Sequence, residues 1–339
     1  MRVLSLVLVL AGMLAVPFGL RAVNGALPGA TVRDSYLPSV ETPRPREPFD
    51  QQAANAVRAA QPQYVVIGDS MAGIRIDPRR LSRLTNRGVV GLYQQGSPVA
   101  YWYLALKNLV AENGLRNIRG AMLLFRDDQL TTQVQVSPGS LDRVARDREP
   151  ELDRILAVEK LGTFSAVHRA AREAYQYERT RLWLEPLITR WPAEAVAGSR
   201  AAEFLDALNN RRFALDQLRK FEASDLAVSS NDALDFAANV EGSLLPEILR
   251  LAAAHDIKLA FIRVQRRPAA DRPPPQSAEL SKYFDDLGAY LAARGAYFHD
   301  DWGDPEEPLS MYADGDHLTA AGRVRYTELF AERHAQFFQ

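Results

Sequence analysis

Hydrophobic residues in this chain form short apolar runs that alternate with segments in which apolar residues recur every three or four positions. The runs at 64–67, 88–93, 121–125, 258–264 and 296–298 are short and mostly apolar, as expected of buried strands. The spacing between them predicts helices over about 51–60, 79–84, 101–113, 243–255, 279–294 and 319–334. Strands that alternate with helices are typical of a parallel sheet covered on both faces, so the sequence predicts a three-layer α/β fold.

This alternation stops between the third and fourth predicted strands. Residues 138–226 are rich in Arg, Glu, Ala and Leu and contain no convincing strand. We interpret them as a helical insertion that divides the α/β domain into a first part, 51–137, and a second part, 227–339.

The N-terminus carries an apolar segment that points to the membrane. The run from Val3 to Leu20 contains no charge and is close to the roughly 20 residues that span a bilayer. It exceeds the ~7–15 apolar residues of a usual signal peptide, which favours an uncleaved anchor at 1–27; small residues at 22–26 leave a cleaved signal open. Prolines throughout 28–50 predict an extended stalk. In both cases the rest of the chain is expected on the periplasmic (extracytoplasmic) side of the cell membrane.

Composition excludes several classes of function. The 41 basic and 42 acidic residues give a net charge of −1, so the chain lacks the charge excess of a nucleic-acid-binding protein. It has no cysteine, which excludes disulfides, thiolate metal sites and a cysteine nucleophile. We interpret His299, Asp300, Asp301 and Asp304 as a polar turn rather than a metal site, and we expect no metal or cofactor.

The first candidate for catalysis is Ser70, in Gly68-Asp69-Ser70 directly after the first predicted strand. A strand that ends in a tight glycine turn and opens a helix presents a serine hydroxyl at the carboxyl edge of the sheet. The first amides of that helix then face the group that the serine attacks. Ser70 is therefore a candidate nucleophile, and the structural alternative is a helix N-cap.

The second candidate segment is Asp314-Gly315-Asp316-His317, near the C-terminus. A serine nucleophile needs a base, and the base needs a group that orients it. His317 is the candidate base and Asp314 the candidate orienting group, while Asp316 is a rival for that second role. A single short turn would then supply both partners of the serine.

Together the two segments resemble the SGNH (GDSL-type) hydrolase superfamily, whose first block is Gly-Asp-Ser after the first strand and whose last block is Asp-x-x-His. The resemblance implies a flavodoxin-like three-layer domain in which Ser70, His317 and Asp314 form a triad. It also implies an oxyanion hole formed by the amides of Ser70 and of Gly96, which lies in the loop after the second strand.

The chain departs from the family at the third block, an asparagine whose side chain completes the oxyanion hole. The residues after the third strand are Arg126-Asp127-Asp128-Gln129, with no asparagine. Arg126 is the candidate replacement, on a loop that we expect to be exposed. The alternative is a structural arginine paired with Asp127 or Asp128.

A narrower resemblance is to membrane-anchored SGNH-like proteins that accompany membrane-bound O-acyltransferases, such as the D-alanyl transfer protein of teichoic-acid modification and the alginate acetylation proteins. It rests on the anchor and stalk, Asp77-Pro78, the Gly96-Ser97 loop before Tyr101-Trp102-Tyr103, and the final Asp-Gly-Asp-His-Leu. It covers most of 60–130 and 240–335. It implies an envelope polysaccharide or acylated sugar as one partner and a membrane-bound O-acyltransferase as another.

The residues and these resemblances together imply serine-dependent O-acyl transfer, with acetyl as the expected group, to a cell-envelope polysaccharide, or ester hydrolysis on it; the polysaccharide is implied by the resemblance. The alternative is a catalytically silent scaffold or binding subunit of a membrane O-acyltransferase complex. Arg263, Arg266 and Arg267 are either solvated loop charges or the lining of a groove for an acidic polymer. The aromatic residues at 101–103 either stack on sugar rings or pack in the core.

Overall fold

The computed structural model describes residues 50–134, 149, 152, 230–268 and 276–339. All of these residues belong to one unit, formed by Pro48–Leu156 and Gly198–Gln339. The expected anchor at 1–27, the stalk except Asp50, and most of the insertion at 138–226 lie outside the described residues, so those expectations stay predictions. Across the described ranges, no helix has the length and apolar character needed to cross a bilayer.

The described part of the chain is built on a parallel sheet with the spatial order β2-β1-β3-β4-β5. The strands are β1 Tyr64–Gly68, β2 Val89–Tyr93, β3 Gly120–Phe125, β4 Lys258–Arg263 and β5 Tyr297–Asp300. This is the flavodoxin-like order, and it confirms the predicted α/β class. The direction of the winding changes between β1 and β3, and ligands of such sheets bind beyond the carboxyl ends of the strands at that point.

Helices connect the strands and cover both faces of the sheet. They are α1 Gln51–Ala60, α2 Ser70–Arg75, α3 Pro78–Thr85, α4 Val99–Leu104, α5 Phe236–Asn239, α6 Leu245–Ala254, α7 Ala278–Ala292 and α8 Ala320–Arg333. The predicted strands and five of the six predicted helices are confirmed, with ends that shift by a few residues; the helix predicted over 101–113 is α-helical only as far as Leu104. Helix α2 was expected to begin at the Ser70 turn, but its six residues are too few to show helical periodicity, and the four-residue α5 was not predicted.

A small antiparallel hairpin follows β5 and was also missed. Its strands are β6 Tyr312–Asp314 and β7 His317–Leu318, and the backbones of Asp314 and His317 pair across it. Gly315 forms the bend with φ of 51°, a left-handed conformation that glycine adopts without strain. Two- and three-residue strands are too short for an alternating pattern of apolar residues to reveal them.

The alternation of side chains along the strands divides the core between the two faces. On one face, Val66, Met122 and Ile262 pack in a single buried cluster with residues of α2, α3 and α8, including Tyr326 and Phe330. Strand residues that alternate with these are buried on the opposite face, where α1 and α6 lie. This arrangement is the predicted three-layer architecture.

The helix predicted over 101–113 has an unusual second half. Residues Val99–Leu104 are α-helical, but Ala105–Ala111 form a π-helix. Lys107 is buried in this segment and its Nζ lies 3.0 Å from Oε2 of Glu149, which is itself fully buried. A π-helix, whose hydrogen bonds run from residue i to i+5, is rare and usually forms a short segment within an α-helix.

Candidate active site

Ser70 lies at the carboxyl end of β1 and is the first residue of α2. Asp69 is the N-cap of that helix, and its Oδ1 accepts a hydrogen bond from the Met71 amide at 2.8 Å. The Ser70 amide is among the first amides of α2, which have no acceptor within the helix. The hydroxyl and a hydrogen-bond donor therefore stand side by side at the edge of the sheet.

Gly68 makes this tight turn possible. A Cβ at this position would lie 2.5 Å from the Cβ of Ala72 and 3.0 Å from the carbonyl oxygen of Leu124. Both distances are shorter than ordinary van der Waals contact, so α2 packs back against β1 and β3 only because residue 68 has no side chain. The glycine of the Gly-Asp-Ser segment is thus required by the close approach of the helix.

The structure brings His317 to Ser70 from 247 residues away along the chain. The Nε2 atom of His317 lies 3.3 Å from Oγ of Ser70, and both side chains are buried. This separation is slightly long for a hydrogen bond and is typical of a nucleophile and base that have no substrate bound. The backbone of Asp314 pairs with that of His317, but the Asp314 side chain is not among the described groups, so its orienting role stays a prediction.

Asp316, the rival orienting group, has a different set of partners. Its side chain is fully buried, and its carboxylate accepts hydrogen bonds from Nη1 of Arg126 and, at 2.8 Å, from the Arg267 amide. Its carbonyl oxygen accepts a third hydrogen bond, at 3.0 Å, from Nη1 of Arg75. Asp316 therefore fixes the turn that carries His317, instead of the imidazole ring itself.

Arg126 follows β3, on the other side of the switch point from Ser70. Only 21% of its side chain is exposed, so the expectation of an exposed loop residue was wrong: Arg126 is ion-paired with buried Asp316. Its Nε also lies 3.9 Å from Oδ2 of Asp127, so the alternative of a structural pair with Asp127 is confirmed beside it. Burial opposes the charge on Arg126, but the carboxylates of Asp316, Asp127 and Asp69 outweigh burial and raise its pKa. The guanidinium stays cationic and lies near the turn that holds Ser70.

Gln129 is a residue that the sequence analysis missed. Its Oε1 accepts a hydrogen bond from the Arg126 amide at 2.7 Å, and its Nε2 donates to Oδ2 of Asp69 at 3.2 Å. One carboxamide therefore links the turn after β1 to the loop after β3. The available signal was a carboxamide side chain close to the position where the family has its asparagine.

Gly96 lies in the loop after β2, which is tied to the end of β1. The Gln94 amide donates to the carbonyl oxygen of Gly68 at 3.1 Å, and Ser97 accepts a hydrogen bond from Nε1 of Trp102 at 2.8 Å. Gly96 itself is exposed and has φ of 61°, a conformation that favours glycine. The loop is thus held beside the Ser70 turn, where the second oxyanion donor is expected.

The aromatic residues after this loop belong mainly to the core. Trp102 and Tyr103 are 1% and 2% exposed, whereas Tyr101 is half-buried. Of the two interpretations, packing in the core therefore holds for Trp102 and Tyr103, and stacking on a sugar ring is left only to Tyr101.

The three arginines that follow each other near the end of β4 have different environments. Arg263 is fully buried, lies 3.0 Å from Asp300 and stacks on the ring of Phe284 at 3.5 Å, so it neither lines a groove nor is solvated. Arg266 is ion-paired with Asp127. Arg267 is exposed, which agrees with a solvated loop charge.

In the turn considered for a metal site, Asp301 is buried and is the centre of a hydrogen-bond network. Asp301 accepts hydrogen bonds from the Tyr326 hydroxyl at 2.7 Å and from Nη1 of Arg333 at 3.2 Å, and lies 3.1 Å from Nε2 of His299. Asp304 is also ion-paired with Arg333. Ligand atoms of Asp301, Asp304 and Glu307 lie within 4.8 Å of one another, and Arg333 is ion-paired with the first two, so the expectation of no metal stays a prediction.

No protein-family model matches this sequence, and no curated protein matches it either. One similar solved structure is a protein of Bacteroides fragilis provisionally named an acylhydrolase, with a TM-score of 0.39 and 11% identity, covering 86% of this chain and 98% of that one. Another is a protein of Streptococcus pneumoniae provisionally named a platelet activating factor, with a TM-score of 0.37 and 11% identity, covering 85% and 92% of the two chains. At this level of similarity, the function has to be inferred from the site itself.

Proposed function

We propose that this protein is a serine-dependent acyl-transfer enzyme of the SGNH type. The observation that carries the proposal is the 3.3 Å separation between Oγ of Ser70 and Nε2 of His317, at the carboxyl edge of a flavodoxin-like sheet. A serine and a histidine that meet at this edge from opposite ends of the chain match the nucleophile and base of an acyl transferase or esterase.

In the first chemical step, Ser70 attacks the carbonyl carbon of an ester while Nε2 of His317 takes the hydroxyl proton. Asp314 is proposed to hold the imidazole in the tautomer that this step needs. The tetrahedral intermediate then collapses, the acyl group stays on Ser70, and His317 passes the proton to the departing alcohol. In the second step, His317 activates either a sugar hydroxyl or water, which takes the acyl group and regenerates Ser70.

The negative charge that develops on the carbonyl oxygen needs donors already in place. We assign this role to the amides of Ser70 and Gly96 and to the guanidinium of Arg126. The ion pair with Asp316 holds Arg126 through Nη1. Because a guanidinium carries five N–H groups, this pairing is compatible with a second acceptor.

The acceptor is proposed to be a hydroxyl of a cell-envelope polysaccharide, with acetyl as the transferred group and a membrane-bound O-acyltransferase as partner. This part of the proposal rests on the apolar N-terminal segment and on the resemblance carried by Asp77-Pro78, the Gly96 loop and the terminal Asp-Gly-Asp-His-Leu. Hydrolysis differs from transfer only in whether water or the sugar attacks the acyl-enzyme.

A catalytically silent scaffold is the second candidate function. Two observations favour it: no asparagine follows β3, and the arginine in its place is ion-paired with Asp316. A hole with fewer donors is expected to stabilise the oxyanion less, by about 10²–10³ in rate for each donor lost.

The full chain in detergent micelles tests the proposal with p-nitrophenyl acetate and with a fluorophosphonate that labels activated serines. We expect acetate release and a single label on Ser70, both abolished in Ser70→Ala and both retained in Ser281→Ala. Ser281 is a suitable control because its hydroxyl is also hydrogen-bonded and partly buried, but it lies in α7, away from the site. Absence of both signals in the parent would favour the scaffold.

A further inference from the structure

Arg75 is a buried cation at the end of the same helix that begins with Ser70. Its side chain has no solvent exposure. Nη2 donates a hydrogen bond to the carbonyl oxygen of Gln265 at 2.7 Å, and Nη1 donates to the carbonyl oxygen of Asp316 at 3.0 Å. One planar guanidinium therefore binds two backbone segments at once.

Both of these segments belong to the carboxyl edge of the sheet. Gln265 lies just after β4, and Asp316 immediately precedes His317. Helix α2 is only six residues long, so Ser70 and Arg75 belong to one short rigid element. The hydrogen bond to Asp316 thus connects the helix of the nucleophile directly to the turn of the base, and the hydrogen bond to Gln265 connects it to the segment after β4.

The surroundings keep Arg75 charged. Burial opposes the charge, but the nearby Tyr312 and Glu307 outweigh burial and raise the pKa of Arg75. The rings of Tyr312 and Tyr326 lie 5.8 and 5.7 Å from its Cζ atom, a distance at which an aromatic face attracts a cation. Apolar residues of similar size often stabilise a core at least as well as a buried charge does, so stability alone gives little reason for an arginine here.

We propose that Arg75 is a positioning residue that sets the separation between Ser70 and His317. The inference rests on the proposed function, because it assigns Arg75 to the same catalytic pair. Methionine or lysine at this position cannot donate to both carbonyl oxygens with fixed geometry, whereas the arginine fork does. Loss of the fork is expected to let the His317 turn move relative to α2.

The experiment compares Arg75→Met/Glu307→Gln with Arg323→Met. Burial raises the pKa of Glu307 to about 8 even though Arg75 lowers it, so the double variant removes the cation together with a neighbouring carboxyl group that would otherwise lose its nearby cation. Arg323 is a matched control because it also donates two hydrogen bonds to a backbone carbonyl, that of Ile76 just after α2, at 2.7 and 3.2 Å. It makes them from α8 and has no hydrogen bond to the His317 turn among the described contacts.

For the double variant we expect kcat for p-nitrophenyl acetate to fall about 100-fold with KM nearly unchanged, because a misplacement of about 1 Å typically has this effect. Arg323→Met should keep kcat within a few-fold of the parent. A crystal structure of the double variant should show Ser70 Oγ and His317 Nε2 beyond hydrogen-bond distance. Equal kcat in the two variants, or an unchanged separation, would overturn the proposal.

Two further results keep the test decisive. If the double variant does not fold, Arg75→Lys replaces it, and full kcat in that variant would overturn the proposal, because an ammonium lacks the fork. If the parent shows no turnover that depends on Ser70, the proposed function fails, and the crystallographic separation alone decides whether Arg75 positions the pair.

Discussion

The two halves of the candidate site are held in place in different ways. Ser70 owes its position to near neighbours: Gly68 allows the close turn and Asp69 caps the helix. The turn that carries His317 is held by Arg75 and Arg126, which lie 241 and 190 residues away in the chain. A local sequence motif can therefore specify the nucleophile, whereas the base reaches it only when the whole sheet has assembled.

This difference has an energetic side. Loss of a helix N-cap typically lowers the free energy of unfolding by about 1 kcal/mol. Loss of one partner of a buried ion pair typically lowers it by about 3–5 kcal/mol, because the other charge is left without compensation. Substitutions around His317 should therefore lower the free energy of unfolding more than substitutions around Ser70, with Ser70 itself excepted.

The largest expected effect is that of His317→Ala. Without the base, Ser70 keeps its position but loses proton transfer, so kcat for p-nitrophenyl acetate should fall on the order of 10³- to 10⁶-fold. The thermal melting curve should change little by comparison. Turnover within tenfold of the parent would show that another group serves as the base.

The next largest effect is expected for Arg126→Ala. If Arg126 is an oxyanion donor, turnover should fall about 10²–10³-fold, and Arg126→Lys should recover only part of it. The variant should also unfold more easily, because Asp316 would be left buried without its cation. Stopped-flow acylation rates and denaturant titrations separate the two effects.

Arg266→Ala is the control for Arg126→Ala. Arg266 is also ion-paired with a buried carboxylate at this edge, that of Asp127, but it has no assigned part in the chemistry. Arg266→Ala should therefore lose stability while it keeps most of the turnover. Equal losses of turnover in both variants would show that Arg126 acts only through structure.

A pH effect on stability is expected at the C-terminal end of the chain. Burial lowers the pKa of His334 to about 4, so the folded protein keeps this ring neutral while the unfolded chain binds a proton below about pH 6.5. The contribution of His334 is fully present above pH 6.5 and is lost as the pH falls toward 4, by roughly 3 kcal/mol in total. His334→Phe should flatten the fall in unfolding free energy over this range.

His299 is the control of opposite sign. A hydrogen bond to Asp301 raises its pKa, so its contribution is present at low pH and is lost as the pH rises through that raised pKa. His299→Gln should therefore remove the loss of stability that this group causes as the pH rises from about 6.5 through the raised pKa, and should leave the slope below pH 6.5 unchanged. If both variants leave the pH profile unchanged, other groups of the C-terminal region must account for it.

The smallest effect is expected for Asp69→Ala, in the turn that holds Ser70. It removes the cap on the Met71 amide and should lower the free energy of unfolding by about 1 kcal/mol. Asp69→Asn, which can still accept that hydrogen bond, should lose only part of this. If Asp69→Ala lowered the free energy of unfolding as much as Arg126→Ala does, the Ser70 turn and the His317 turn would not differ in how they are stabilised.

The sequence predicted those parts of the molecule that depend on local patterns. Apolar runs and helical spacing located the five parallel strands and most of the helices, and Gly68-Asp69-Ser70 located the sharp turn after β1. The meeting of Ser70 and His317 was expected from the family resemblance, which places Gly-Asp-Ser and Asp-x-x-His in one site.

The remaining features depend on contacts between residues far apart in the sequence. Nothing near Arg126 indicates that its partner is Asp316, and an arginine at the end of a six-residue helix gives no local sign that it is fully buried. The hairpin at 312–318 is likewise too short for a pattern, and its strands form where the chain folds back on itself.

The π-helical segment Ala105–Ala111 has a consequence for how the length of this chain can vary during evolution. A π turn takes up one residue more than an α turn, so the extra residue is absorbed within the segment. Its flanks stay anchored, by Trp102 to Ser97 at 2.8 Å and by Asn113 to the carbonyl oxygen of Ala54 at 2.8 Å. A related sequence with a single-residue gap here is expected to form an ordinary α-helix between the same two anchors, leaving the Gly96 loop in place.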